Sequence, residues 1–202
     1  MATSDGGLRE RKKRETRLAL SHAAIRLALE RGWDDVSVED IAAAANVSER
    51  TFRNYFGSKA EAVVATHVER GRRTAEALRD RPAGEPLWDA LVNAVVAQFE
   101  PAEPGGPAGD RFAAGIRELV AEPAVQQEMF RVHALAQDEL AAAVADRTGA
   151  PAGDLYPQVV AAVVSAGLST ALSRWTLDPT EPIGPLLREV FGQIRAGLPE
   201  QR

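Results

Sequence analysis

The chain has no cysteine in its 202 residues. That removes disulfides, thiolate metal ligands and thiol nucleophiles together. Histidine is nearly as scarce. His22, His67 and His133 lie far apart, and none has a neighbour at metal-ligand spacing. No metal site is expected. There is no Gly-rich phosphate loop and no recognisable nucleophile–base pair, so neither catalytic residues nor a cofactor are expected, and the chain does not read as an enzyme. No apolar run approaches the roughly 20 residues that span a bilayer. The N-terminus is polar and basic, with no apolar signal core behind it. These absences lead to the expectation of a cytoplasmic protein with no membrane partner. Strand-like alternation of useful length is missing too. What the chain does have is alanine in abundance and helical periodicity, which points to an all-α fold of about nine helices.

The net charge of −5 speaks weakly against a nucleic-acid partner. The average hides an asymmetry. Residues 1–59 hold eleven lysines and arginines against nine acids, whereas residues 60–202 carry a net of −7. Six of the nine residues in Arg9–Arg17 are basic. Contact with phosphates needs a local basic face, not a basic protein.

Read along the chain, residues 1–8 look like a disordered tail, followed by a helix from Arg9 to about Arg31. Its expected inner face is Leu18, His22, Ile25 and Leu29, and Gly32 ends it. Ser37 and Asp40 form a capping box for a short second helix. Asn46-Val47 is a turn, Ser48 caps a third helix ending near Phe56, and Ser58 to Glu61 is a second capping box. The fourth helix can run to about Arg81. A fifth is expected over Leu87–Phe99, and Pro101–Gly109, with three prolines and three glycines, must be a flexible loop. Arg111–Ala121, Val125–Arg147, Tyr156–Leu177 and about Ile183–Ala196 complete the set.

Residues 36–59, VSVEDIAAAANVSERTFRNYFGSK, have the layout of a helix-turn-helix. Ile41, Ala42 and Ala45 supply the apolar face of the first helix. Asn46 tolerates the positive φ of a tight turn. In the second helix Phe52 and Phe56 face inward, while Glu49, Arg50, Arg53 and Asn54 share another face. Such a face suits a major groove: arginine clasps guanine through O6 and N7, and asparagine clasps adenine through N6 and N7. Thr51, Tyr55 and Lys59 are better placed for phosphates, which position without specifying. Ser37 sits at a helix start where an amide can hold a phosphate. Glu49 either accepts from cytosine N4 or is simply solvated. Short helix pairs with charged faces are common and mostly contact nothing, so periodicity alone leaves the point open.

The literal residues go further. Arg14-Glu-Thr-Arg-Leu-Ala-Leu-Ser-His-Ala-Ala24, Glu30-Arg-Gly-Trp33, Val36-Ser-Val-Glu-Asp-Ile-Ala42, Ala45-Asn-Val-Ser-Glu-Arg-Thr-Phe-Arg-Asn-Tyr-Phe56 and Ser58-Lys59 together resemble the TetR family of one-component transcriptional regulators. The resemblance covers about residues 10–65. Asn46 stands where glycine or Ala-Gly is usual, and Gly57 where proline often stands. The resemblance implies a homodimer: a three-helix DNA-binding domain with a helix-turn-helix, here residues 9–57, and a C-terminal helical ligand-binding and dimerisation domain, here 58–202. The DNA-contacting candidates are Arg14, Ser37, Ser48, Arg50, Thr51, Arg53, Asn54, Tyr55 and Lys59. The implied partners are a palindromic double-stranded DNA operator, with half-sites about 35 Å apart, and a small-molecule effector that releases a repressor.

The rest of the chain says less. Candidate effector-lining residues are Trp88, Phe99, Phe112, Met129, Phe130, His133 and Trp175, each of which taken singly reads more readily as core packing. An apolar pocket implies a mostly hydrophobic ligand. Past residue 100 the chain faintly resembles regulators linked to fatty acyl groups, including the mycofactocin-cluster type. Small residues between Val159 and Leu172, with Leu186, Leu187, Val190, Phe191 and Ile194, are the expected dimer face. A ligand-binding module without DNA contact and a sequence-independent nucleoid protein are the rival readings, the second opposed by the overall acidity.

Overall fold

The computed structural model describes residues 3–99, 107–178 and 182–197, with the side chains of 3–6 and 107–113 outside that set. Among these residues are nine α-helices and no strand: α1 Thr3–Arg31, α2 Val38–Ala44, α3 Glu49–Tyr55, α4 Lys59–Asp80, α5 Leu87–Val96, α6 Pro107–Ala121, α7 Pro123–Thr148, α8 Leu155–Leu177 and α9 Ile183–Arg195. The all-helical reading holds. The tail expected over residues 1–8 is corrected, since α1 reaches back to Thr3. A helix nucleated on a buried face downstream extends at little cost, one backbone bond per residue. Likewise α6 starts at Pro107, whose fixed φ suits a first helical position. The remainder of the loop expected over 101–109 lies outside the described residues.

The chain forms two compact units. The first combines residues 1–68 with 118–132, the second residues 69–117 with 133–202. The division falls inside α4, after Val68, and inside α7, after Val132.

In the first unit α1 packs on α2 and α2 on α3. Its core gathers Leu20, Leu27, Val36, Ile41, Phe52, Phe56 and Val64 with Leu119, Val125 and Val132 from the later segment. The inner face of α1 is Leu20, Ala23, Ala24, Leu27 and Ala28, not the expected stripe, and His22 is exposed. The leucines of α1 allow either register. Alanines at 23, 24 and 28 let neighbouring helices approach closely, which favours the observed one. Ser21 is fully buried there, and its hydroxyl donates to the Ala62 carbonyl of α4 at 2.6 Å. Gly32, at φ +90°, closes α1 with its N–H on the Ala28 carbonyl.

In the second unit α8 packs along α9, and α5 packs on α9. Leu78, Leu91, Val95, Val144, Val164, Leu187 and Phe191 fill the core. By length and composition α8 is apolar enough to cross a membrane, which corrects the expectation that no segment is. Its ladder of Pro157, Ala161, Val164, Gly167 and Ala171 is nevertheless buried in the protein. Gly167 has a specific reason: a Cβ there would lie 2.8 Å from Ile194 Cδ1 and 2.9 Å from Phe191 Cε1. Ala161, Gly167, Leu187 and Phe191 therefore form a seam within one chain, which corrects their assignment to a dimer face. The outward side of α8 carries Leu155, Tyr156, Val159, Ala166, Thr170, Ser173 and Leu177, with Arg174 exposed beside them near its C-terminal end.

Candidate nucleic-acid interface

The short helices α2 and α3 cannot hold themselves and depend on caps and packing. At α2 the Ser37 hydroxyl accepts from the Asp40 amide at 3.0 Å, and the Asp40 carboxylate accepts from the Ser37 amide at 2.9 Å. The Ser37 hydroxyl and then its amide hold the Asp40 carboxyl below the usual carboxylate range, with Arg31 adding to the effect. After α2 the chain reverses at Asn46, at φ +54°, the turn anticipated for an asparagine. At α3 the Ser48 hydroxyl accepts from the Thr51 amide at 3.1 Å and lies 2.9 Å from the Thr51 hydroxyl.

With both ends fixed, α3 turns one face in and one out. Phe52 and Phe56 are 1 % and 2 % exposed, with ring centroids 5.6 Å apart. Glu49, Arg50, Arg53 and Asn54 are exposed on the opposite side, and Thr51 and Tyr55 sit half-buried between the two faces. Arg50 and Asn54 have no hydrogen-bond partner among the described residues. Arg53 does: its Nε donates to Glu49 Oε1 at 3.1 Å, and its Nη2 contacts the same oxygen. Arg14 stands exposed on α1. The structure thus gathers Ser48, Arg50, Arg53 and Asn54 on α3 and Ser37 at the start of α2.

Lys59 departs from expectation. Its ammonium donates to the carbonyls of Trp33 at 2.6 Å and Val36 at 3.0 Å, and sits 4.2 Å from the centre of the Trp33 ring. Two of its three donors are committed inside the protein, where a phosphate anchor needs them free. The second capping box also differs. The Glu61 amide donates to Ser58 Oγ at 3.1 Å, but the Glu61 carboxylate accepts from the Gly57 amide at 2.8 Å, one residue earlier than expected.

Arg17 escaped the sequence reading. Its guanidinium lies 4.5 Å over the Phe56 ring and donates to the Tyr55 carbonyl at 3.2 Å, so it closes the C-terminal end of α3. A cation–π partner thirty-nine positions away leaves no periodic trace. Glu61 ties in further, lying 3.9 Å from both Arg17 and Arg131 of α7.

The effector candidates scatter. Met129 packs in the first unit's core. Phe130, one residue on, is 86 % exposed and is corrected: α7 buries Val125 and Val132, and position 130 points away from that face. Trp88, Phe99 and Trp175 pack against the second unit's core. Trp88 meets Phe191 edge-on at 6.0 Å, and Phe99 lies under Arg70 at 4.7 Å. His133 is half-buried. The Phe112 side chain lies outside the described residues. A cavity of about 170 Å³ opens between α5 and α9, lined by Trp88, Val92, Phe191 and Gly192 with Asp89, Asn93, Arg188 and Arg195 on its polar side. Sites for drug-sized ligands begin near about 300 Å³, so this cavity is too small to be a complete effector pocket.

Two family models match the chain. One, described as bacterial regulatory proteins, tetR family, covers residues 20–66. The other, described as the MftR C-terminal domain, covers residues 85–199. Among curated relatives, the HTH-type transcriptional regulator TcmR of Streptomyces glaucescens is 32 % identical over 175 residues, 85 % of this chain and 77 % of that one. MftR of Mycobacterium tuberculosis, which its name ties to mycofactocin biosynthesis, is 29 % identical over 194 residues, 93 % of each chain. Among solved structures, the fatty acid degradation regulator FadR of Bacillus halodurans superposes with a TM-score of 0.60 at 17 % identity, over 92 % of this chain and 97 % of that one. A regulator from Syntrophomonas wolfei gives 0.62 at 15 %, over 94 % and 99 %. At those identities the structures speak for the fold alone. A capped helix pair with an outward polar face, continued by a matching C-terminal domain, identifies a DNA-binding transcriptional regulator and not an enzyme: the chain belongs to the TetR family.

Proposed function

We propose that this regulator is a homodimeric repressor that holds a palindromic operator with two copies of α3 and releases it when a small hydrophobic molecule binds the C-terminal part. In this reading residues 9–57 form the DNA-binding domain and residues 58–202 the ligand-binding and dimerisation domain. The observation that carries it is the exposed face Glu49, Arg50, Arg53 and Asn54 on a helix fixed from behind by Phe52 and Phe56. Arg50, Arg53 and Asn54 read bases. Arg14, Ser37, Ser48, Thr51 and Tyr55 position the duplex through phosphates. Lys59 acts mainly by holding the Trp33–Val36 segment against α4.

Dimerisation is supported by the outward side of α8, where Leu155, Tyr156, Val159 and Leu177 are all exposed, since a clustered apolar face is costly to leave in water. The effector acts through α4, whose residues fall partly in one compact unit and partly in the other. A ligand that prefers one setting of α4 changes the spacing of the two recognition helices and with it the fit to a fixed operator. Capture of bound DNA across the genome of the source organism should return a palindrome with half-sites about one helical turn apart. Gel shifts on that site should show Arg53→Ala weakened by about 1–3 kcal/mol, with relaxed choice at one base position. Equal loss on operator and random DNA sinks the base-reading role. Transcription from the captured promoter in vitro, with and without the protein, separates repressor from activator.

A further inference from the structure

We propose that Glu49 is a specificity-determining residue that acts with Arg53 as one unit to read a single G·C base pair. The inference rests on α3 lying in the major groove, and adds a residue and a base identity to that reading. A carboxylate on a face meant for a polyanion needs a reason, because every nearby phosphate repels it. Fold stability is a poor one. Glu49 and Arg53 are 45 % and 63 % exposed, and an exposed i, i+4 pair contributes little.

The geometry supplies a better one. Arg53 donates through Nε and Nη2 to one oxygen only, Oε1 of Glu49. That leaves the far edge of the guanidinium, Nη1 with the second hydrogen of Nη2, as a free two-donor fork. It also leaves Glu49 Oε2 with no hydrogen bond among the described residues, as a free acceptor. Across the major groove a G·C pair presents N7 and O6 of guanine as acceptors, then N4 of cytosine as a donor. The coupled pair presents donor, donor, acceptor. An A·T pair offers acceptor, donor, acceptor instead, so the guanidinium fork meets the adenine amino group and Oε2 meets the thymine O4. Glu49 therefore converts a guanine preference into rejection of the other base pairs, and its charge keeps Arg53 from settling on any phosphate within reach.

The test uses the full-length protein and a library of duplexes with both half-sites randomised, selected by wild type and by Glu49→Gln, with circular dichroism to show that both are folded. Wild type should enrich one near-invariant G·C position in each half-site. Glu49→Gln should lower discrimination against A·T at that position about tenfold, leave the other positions unchanged, and bind random DNA more tightly. A structural role at the start of α3 would instead weaken all sequences alike. Wild-type selection with unchanged base preferences in Glu49→Gln overturns the inference while leaving base reading by α3 intact. Failure of wild type to enrich any sequence overturns both.

Discussion

At the residue scale, Lys59 is a cation committed to partners inside the protein. Its position next to α3 matches that of a phosphate anchor, yet its ammonium bonds two carbonyls and faces the Trp33 ring. A charged donor on a buried acceptor is worth roughly 1.5–3 kcal/mol. Lys59→Met keeps the stem and removes the donors, so it should lower the melting temperature by several degrees in a thermal melt. The salt slope of DNA binding should change by less than one phosphate contact. A full unit lost from that slope, with the melting temperature unchanged, returns Lys59 to the phosphates. Asn46, the Ser37–Asp40 box and the Phe52–Phe56 pair were legible because each is a local rule written within four residues. Arg17 on Phe56, Lys59 on Trp33 and the Arg53–Glu49 coupling depend on which rotamer or distant partner a charge finds, and periodicity does not encode that.

At the element scale, Gly71 is the test case. A glycine in the middle of a 22-residue helix invites reading as a soft point. The structure gives it another function. A Cβ at Gly71 would lie 2.7 Å from the Cβ of Ala136 on α7, so the glycine permits a close approach of α4 and α7 there. Gly71→Ala should destabilise the protein by about 1–3 kcal/mol in urea titrations through overpacking, despite the roughly 1 kcal/mol that alanine gains in helix propensity. Adding Ala136→Gly should restore much of it. A stabilised single variant removes the close-packing account. The same scale explains the misread face of α1. Its leucines fit two registers, and the buried alanines at 23, 24 and 28 decide between them.

At the scale of the whole molecule, charge and assembly set the conditions for function. Several carboxylates are held below their usual range. Burial alone would raise Glu69, but hydrogen bonds from Arg72 and Arg73 outweigh it. Arg81, then Asn93, lower Glu85, and Ser37 lowers Asp40. A carboxyl depressed in the folded state contributes fully above its unfolded value, about 4. That contribution is lost as pH falls through the folded value. Melting temperatures should hold near neutrality and fall steeply below about pH 4, and Glu69→Gln should flatten part of that fall. A curve as steep for the variant as for wild type assigns the loss to other groups. In the proposed dimer, assembly rests on the outward side of α8. Val159→Glu should turn a dimer into a monomer by light scattering and cost on the order of 100-fold in operator affinity, because the second half-site no longer binds as part of the same complex. A variant still dimeric moves the interface elsewhere.

The mixed make-up of the first compact unit bears on how such regulators are recombined. Residues 118–132 supply Leu119, Val125 and Val132 to the same core as Phe52 and Phe56, and Arg131 lies beside Glu61. The reading head is therefore not a detachable cassette. A chimaera joined at residue 58 inherits a foreign patch where these three side chains belong, and an isolated fragment of residues 1–68 exposes the apolar surface they cover. Grafts intended to swap operators while keeping a sensor should carry residues 118–132 along with the helix-turn-helix, or redesign the two faces together.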